Sequence, residues 1–294
     1  MESFTRGWAF LKQSWQMAWA DKDLLKPSIY ALVAGFIVTI ILVIPIGFIT
    51  FLLQNSKIGE YIIYILGALV IFIQYMVGYI FSAMTVYLIY GYLAEGDGKM
   101  DKAWAIVKRD VWDISSLAAA STAVNLLKSA VRGKGRSGGR NFLAGLIDTV
   151  WTEAAFLILP AMVIEDINLK DGVKRAAQII KDNLLLVGLS TVGVKLVTGL
   201  IGFLLGALGV GLGLGVGLGI ISTSQGSVAG LITGVTLGIL IATPFIMFAT
   251  VVSTYTSTAY HTCLYLWARD VERARQAGNT GEVSAPSPLA AVLQ

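Results

Sequence analysis

The sequence predicts an all-α fold, a polytopic transmembrane helical bundle of about six spans, built as three repeats of an amphipathic interfacial helix plus a helical hairpin. Three observations predict it. The chain is 56% hydrophobic and only 14% charged, where soluble domains carry roughly a quarter charged residues, and its mean hydropathy is +0.74. Apolar runs near the ~20 residues that cross a hydrocarbon core recur along it. The joints between these runs collect the lysines and arginines and share one pattern.

Residues 1–27 read as an amphipathic interfacial helix, because Phe4, Trp8, Leu11 and Trp15 fall at i, i+4, i+7 and i+11 on one face. Such a stripe suits the headgroup plane, with Trp8, Trp15 and Trp19 as anchors at the boundary. An ordinary helix packed on the end of the bundle fits the pattern as well. The opening lacks a short apolar core with a small-residue cleavage site, so a signal peptide is not expected.

Residues 28–268 form the transmembrane domain, with spans at about 29–53, 61–93, 114–128, 141–164, 184–221 and 227–267. The third is the weakest: about 15 residues reach only some 22 Å as a helix, short of the roughly 30 Å required. It is expected to tilt, to lie buried among neighbours, or to stop short of spanning. Residues 269–294, small and polar with two prolines, suit a largely disordered cytoplasmic tail.

The joints repeat. Trp8 to Trp15 leads through Asp21-Lys22-Asp23 into the first span, Lys102 to Arg109 through Asp110 and Trp112 into the third, and Gly172 to Ile179 through Lys181-Asp182 into the fifth. Trp104 and Trp112 take the anchoring places in the second joint. Loops rich in Lys and Arg stay in the cytoplasm, and the six-span count puts most of these residues on the side of the N-terminus, so both termini are expected inside. The loop from Lys128 to Arg140 breaks the rule locally. Its Arg132, Lys134, Arg136 and Arg140 can bind an anionic lipid headgroup, or form an exposed hairpin tip. Gly133, Gly135 and Gly138 have dinucleotide-site spacing there, but no βαβ unit surrounds them. The modest net charge of +4 reads as membrane orientation, with no nucleic-acid partner.

Glycine marks the last hairpin. Gly226, Gly230, Gly234 and Gly238 recur every four residues, facing a preceding helix that carries Gly202, Gly206 and the alternating run from Gly209 to Gly219. Two residues turn a helix by about 200°, so that run separates into ridges at Gly209/Gly213/Gly217 and Gly211/Gly215/Gly219. Small ridges let backbones touch in lipid, either within one protomer or between protomers of a homo-oligomer.

Ionisable residues within spans are functional candidates, and Asp148, Glu153 and Lys195 qualify. Counting 1.5 Å per residue from the inner helix ends puts Glu153 and Lys195 at equal depth, so an ion pair is expected there. It either lines a polar pathway, with Asp148 nearer the outer mouth and Gln74 or Asn125 as neighbours, or simply joins two helices. A single Cys263 and a single His261 leave no basis for a disulfide framework or a metal cluster. No partner for catalysis is spaced around either residue. The hydroxyls of residues 253–258 are expected to bond back to helix carbonyls.

The stretch Trp151-Thr152-Glu153-Ala154-Ala155-Phe156-Leu157-Ile158-Leu159-Pro160, followed by Val163-Ile164-Glu165-Asp166 and Gly172-Val173-Lys174-Arg175, resembles an uncharacterised prokaryotic family of six-span membrane proteins. Gly7-Trp8, Ser14-Trp15 and Asp21-Lys22-Asp23-Leu24-Leu25 look like that family's opening. The resemblance implies architecture and a prokaryotic plasma membrane, and no activity. Glu153 stands where that pattern has an apolar or small residue.

The expectation for function is a non-catalytic homo-oligomeric or scaffolding membrane protein without cofactor or metal. A channel or small transporter with a polar pathway at Glu153 and Lys195 is the alternative, and a membrane-embedded lipid-modifying enzyme is the third.

Overall fold

A computed structural model describes residues 2–53, 56–132, 138–182, 184–224, 227–278 and 283–293. The described chain is all-helical: α1 (Glu2–Ala20), α2 (Lys26–Leu53), α3 (Lys57–Glu95), α4 (Met100–Arg109), α5 (Val111–Arg132), α6 (Gly138–Glu165), α7 (Leu169–Asp182), α8 (Leu184–Thr223), α9 (Val228–Gln276) and α10 (Ser287–Leu293). Six of these helices are long and apolar enough to cross a membrane, and the chain is a multi-pass membrane protein. Its order is a short helix followed by a helical hairpin, three times over: α1 with α2–α3, α4 with α5–α6, and α7 with α8–α9. Both termini, α4 and α7 lie on what we term the terminal side, and the hairpin tips on the loop side.

The turns between units are built by local chemistry. Asp21 accepts from Asp23 N through one carboxylate oxygen and from Gly98 N through the other, at 2.9 and 2.7 Å, which ties the α1–α2 joint to the end of α3. Gly96 closes α3 at φ 78°, a left-handed conformation that glycine adopts without strain. Ser227 caps α9 by accepting from Gly230 N.

Exposure changes along each long helix. The apolar residues of α2, of the first half of α3 and of the α8–α9 hairpin toward its tip face outward, among them Phe36, Ile44, Ile65, Leu218 and Leu240. An outward apolar surface of this kind suits a membrane-spanning bundle. Toward the terminal side the helices close on a core of Leu88, Ile89, Leu157, Ile158, Met162, Tyr260 and Leu264, with Phe10 of α1 edge-on to Tyr260 at 5.4 Å. The 40 residues of α8 and 49 of α9 exceed the ~20 needed to cross because their terminal ends continue into this core.

Two expectations change. The third span is not confined to 114–128: α5 has 22 residues, about 33 Å. Its weak hydropathy arises because Ser121 and Asn125 face the interior of the bundle and not lipid. The tail does not stay apart either. Residues 269–276 extend α9, and α10 packs on α1 with Leu289 fully buried, since Leu289 and Ala290 give that short helix an apolar face.

Candidate functional site

α3, α5, α6 and α9 enclose a cavity of about 300 Å³. α3 presents Gln74, Tyr75, Tyr79 and Ser82 to it, α5 Ser121 and Asn125, α6 Asp148, Trp151 and Thr152, and α9 Ser253, Thr254, Ser257 and Thr258. Helical periodicity explains the selection, because 148, 151, 152, 155 and 159 on α6 and 254, 257 and 258 on α9 each fall on one face. Val86, Ala155 and Leu159 form the terminal end of the cavity, where the core begins. Asp148, half-exposed, stands at the loop-side mouth.

Part of the wall is bonded to itself. Ser121 Oγ accepts from Trp151 Nε1 at 2.9 Å and lies 2.7 Å from the Tyr79 hydroxyl, so one small residue on α5 ties α3 to α6. Asn125 Nδ2 donates to the Tyr75 hydroxyl at 3.3 Å, and Gln74 donates to Thr39 Oγ1 at 2.7 Å. Thr258 differs: it is 3% exposed and its hydroxyl has no hydrogen-bond partner. A buried hydroxyl without a partner is costly, about 1–3 kcal/mol, and this one belongs to the cavity lining.

Glu153 and Lys195 form the ion pair expected of them, and the structure adds His261, whose Nε2 lies 3.1 Å from Glu153 Oε2. His261 Nδ1 lies 2.7 Å from the Ser257 carbonyl, an acceptor only, so Nδ1 carries hydrogen and donates. The cluster joins α6, α8 and α9. It does not line the cavity; the Phe156 ring does, and it stacks on the imidazole at 4.5 Å and 11°. Asp148 is apart from the cluster and pairs with Lys128 at 2.7 Å.

The sequence missed His261 as a partner and read residues 253–258 as back-bonded. Counting depth along α9 from the inner end expected at residue 267 puts His261 only about 9 Å deep, shallower than Glu153, because α9 runs on to Gln276. Thr256 Oγ1 accepts from Trp15 Nε1 at 3.2 Å, and the Thr258 hydroxyl makes no bond to its helix. These hydroxyls serve tertiary contacts and the cavity in place of helix carbonyls.

The other singled-out residues divide. A Cβ on Gly217 would sit 2.8 Å from Gly234 O, one on Gly238 2.8 Å from Gly213 O, and one on Gly209 2.7 Å from Phe245 Cβ, so these glycines let α8 and α9 touch. Gly213 and Gly234 are equally crowded by the facing backbone, and Gly230 sits against Ser224 at the turn. Gly202 and Gly206 lie on the same face of α8 as Gly209, Gly213 and Gly217 and are half-buried, but a Cβ there meets nothing within 4 Å, so the close approach expected of them begins only at Gly209. Gly226, Lys134 and Arg136 lie outside the described residues; Arg132 and Arg140 are exposed at helix ends beside that loop. Trp8, Trp19, Trp104 and Trp112 are exposed. Trp15 instead packs edge-on to Tyr255 at 5.9 Å, so it anchors α1 to α9 and not to a lipid boundary.

On the terminal side Arg175 of α7 bridges Glu165 of α6 and Glu272 of α9. Burial opposes its charge, yet the hydrogen bond to Glu272 and the nearby Tyr265 and Glu165 hold the guanidinium above the ordinary arginine value. No family model, no curated protein and no solved structure matches the chain.

Proposed function

We propose that this protein moves a small solute across a membrane and that the cavity between α3, α5, α6 and α9 is its binding site. One observation carries the reading: a space within the apolar bundle whose wall is largely apolar but carries several hydroxyl and amide groups, with the buried, unpartnered Thr258 among its lining residues. Binding sites are concave, largely apolar and furnished with a few placed polar groups, and this cavity has that character. The reading needs no catalytic residue or cofactor. The Glu153–Lys195–His261 cluster holds the cavity wall through Phe156 and is not itself the path. The positive joints and the family resemblance support a prokaryotic plasma membrane with cytoplasmic termini. Solute-driven swelling of proteoliposomes tests the proposal with Gly78→Leu. Gly78 lines the cavity and a Cβ there meets nothing within 4 Å, so leucine fills the space without a clash. Loss of swelling in the folded variant supports the reading, and wild-type swelling contradicts it.

A second reading, self-association of protomers, is favoured by one feature. The ridge Gly211/Gly215/Gly219 faces open space beside exposed Leu212, Leu214 and Leu218. Small residues of that kind let helices of neighbouring protomers pack closely, and the two readings are compatible.

A further inference from the structure

We propose that the cavity takes a small uncharged polar solute, of the polyol or amide class, and discriminates against ions of either sign. This rests on the reading of the cavity as a solute site and adds the chemistry of its occupant. The wall carries no Lys or Arg among the described residues, and Asp148, its one carboxylate, is at the mouth and already held by Lys128 at 2.7 Å. An ion entering would give up water with no counter-charge to replace it, and a bare charge in a low-dielectric interior is strongly disfavoured.

Uncharged solutes meet the opposite situation. Thr258 offers a hydroxyl that lacks a partner, with Ser253, Thr254 and Ser257 on the same helix and Thr152 and Ser82 across from them. Hydroxyls both donate and accept, which suits the mixed needs of a polyol or an amide. The aromatic rings favour the same class. Tyr75 and Tyr79 stack on each other at 5.9 Å and 14°, and one face of Phe156 is covered by His261, so these rings give C–H surface an apolar wall but form no open cage for a cation.

The test uses the full chain in proteoliposomes, following entry of glycerol, erythritol and urea against choline and lactate, in wild type and Thr258→Val. That change keeps side-chain volume and removes a hydroxyl no protein group uses, so folding is expected to be unaffected. After entry into protein-free liposomes is subtracted, the expected result is entry of the uncharged solutes more than about tenfold faster than either ion, and a fall of about fivefold to tenfold in Thr258→Val. Ions entering as fast as uncharged solutes, or Thr258→Val matching wild type, overturns the inference while leaving a transport role. If nothing enters, saturable thermal stabilisation by erythritol but not choline supports the inference and overturns transport. Neither entry nor stabilisation overturns both.

Discussion

The imidazole of His261 lies flat on the ring of Phe156, with centroids 4.5 Å apart and planes 11° apart. A charged cluster spanning three helices and the wall of a polar cavity thus share one side chain. Glu153→Ala leaves Lys195 and His261 without their carboxylate; Lys195 is 47% exposed, so the expected cost is about 1–2 kcal/mol, between that of a surface pair and that of a fully buried one. Glu153→Gln, which keeps hydrogen-bonding atoms, is expected to cost less. Thermal unfolding in nanodiscs checks the order, and equal stability of the two variants contradicts it.

Gly213→Val and Gly215→Val separate the two faces of α8. A side chain at Gly213 meets the Gly238 backbone, whereas one at Gly215 meets nothing. Gly213→Val is expected to destabilise the hairpin by about 1–3 kcal/mol through overpacking, and Gly215→Val to leave unfolding unchanged while weakening any protomer contact. Unfolding midpoints read the first effect, and chemical cross-linking in native membranes reads the second.

Element order was legible in the sequence because hydrophobic runs and charged joints are local signals. The Glu153–Lys195 pair was legible for a related reason, since helix rise converts residue number into depth. The cavity was not legible. The polar residues of α5 looked like a poor span, and only the packing of α3, α6 and α9 around it reveals that Ser121 and Asn125 face an interior space. Gly202 and Gly206 depart for a related reason: spacing marks a ridge but not how far along it two helices stay in close contact. Leu289 seemed too short an apolar signal to hold a tail, and its place against α1 depends on distant contacts.

Ser121→Ala removes the acceptor of Trp151 Nε1 and the partner of the Tyr79 hydroxyl together. The expected loss is about 2 kcal/mol, because a partly buried N–H is left unpaired. Unfolding of the variant measures it, and Ser121→Thr, which restores a hydroxyl, is expected to recover most of the loss.

Arg175→Lys is expected not to replace arginine, since an ammonium lacks the planar fork that reaches two carboxylates. The guanidinium is raised above its usual value, so its contribution is fully present at neutral pH and is lost only as pH rises through that higher value. Stability of the wild-type clamp from this group is therefore flat across the neutral range, while Arg175→Met is less stable at every pH there. Limited proteolysis of the α6–α7 and α9 ends reads the loosening.

The cavity itself is tested most directly by cysteine labelling from the loop side in membranes. Cys263 is fully buried, so the wild-type chain supplies an unreactive background. Ser82→Cys and Thr254→Cys are predicted to react with a small uncharged water-soluble thiol reagent such as iodoacetamide, and to be protected when Gly78→Leu is added. A lipid-facing control at Leu240→Cys is predicted to stay unlabelled. Cavity cysteines that react no faster than the Leu240→Cys control would contradict a solute-accessible cavity in this protein.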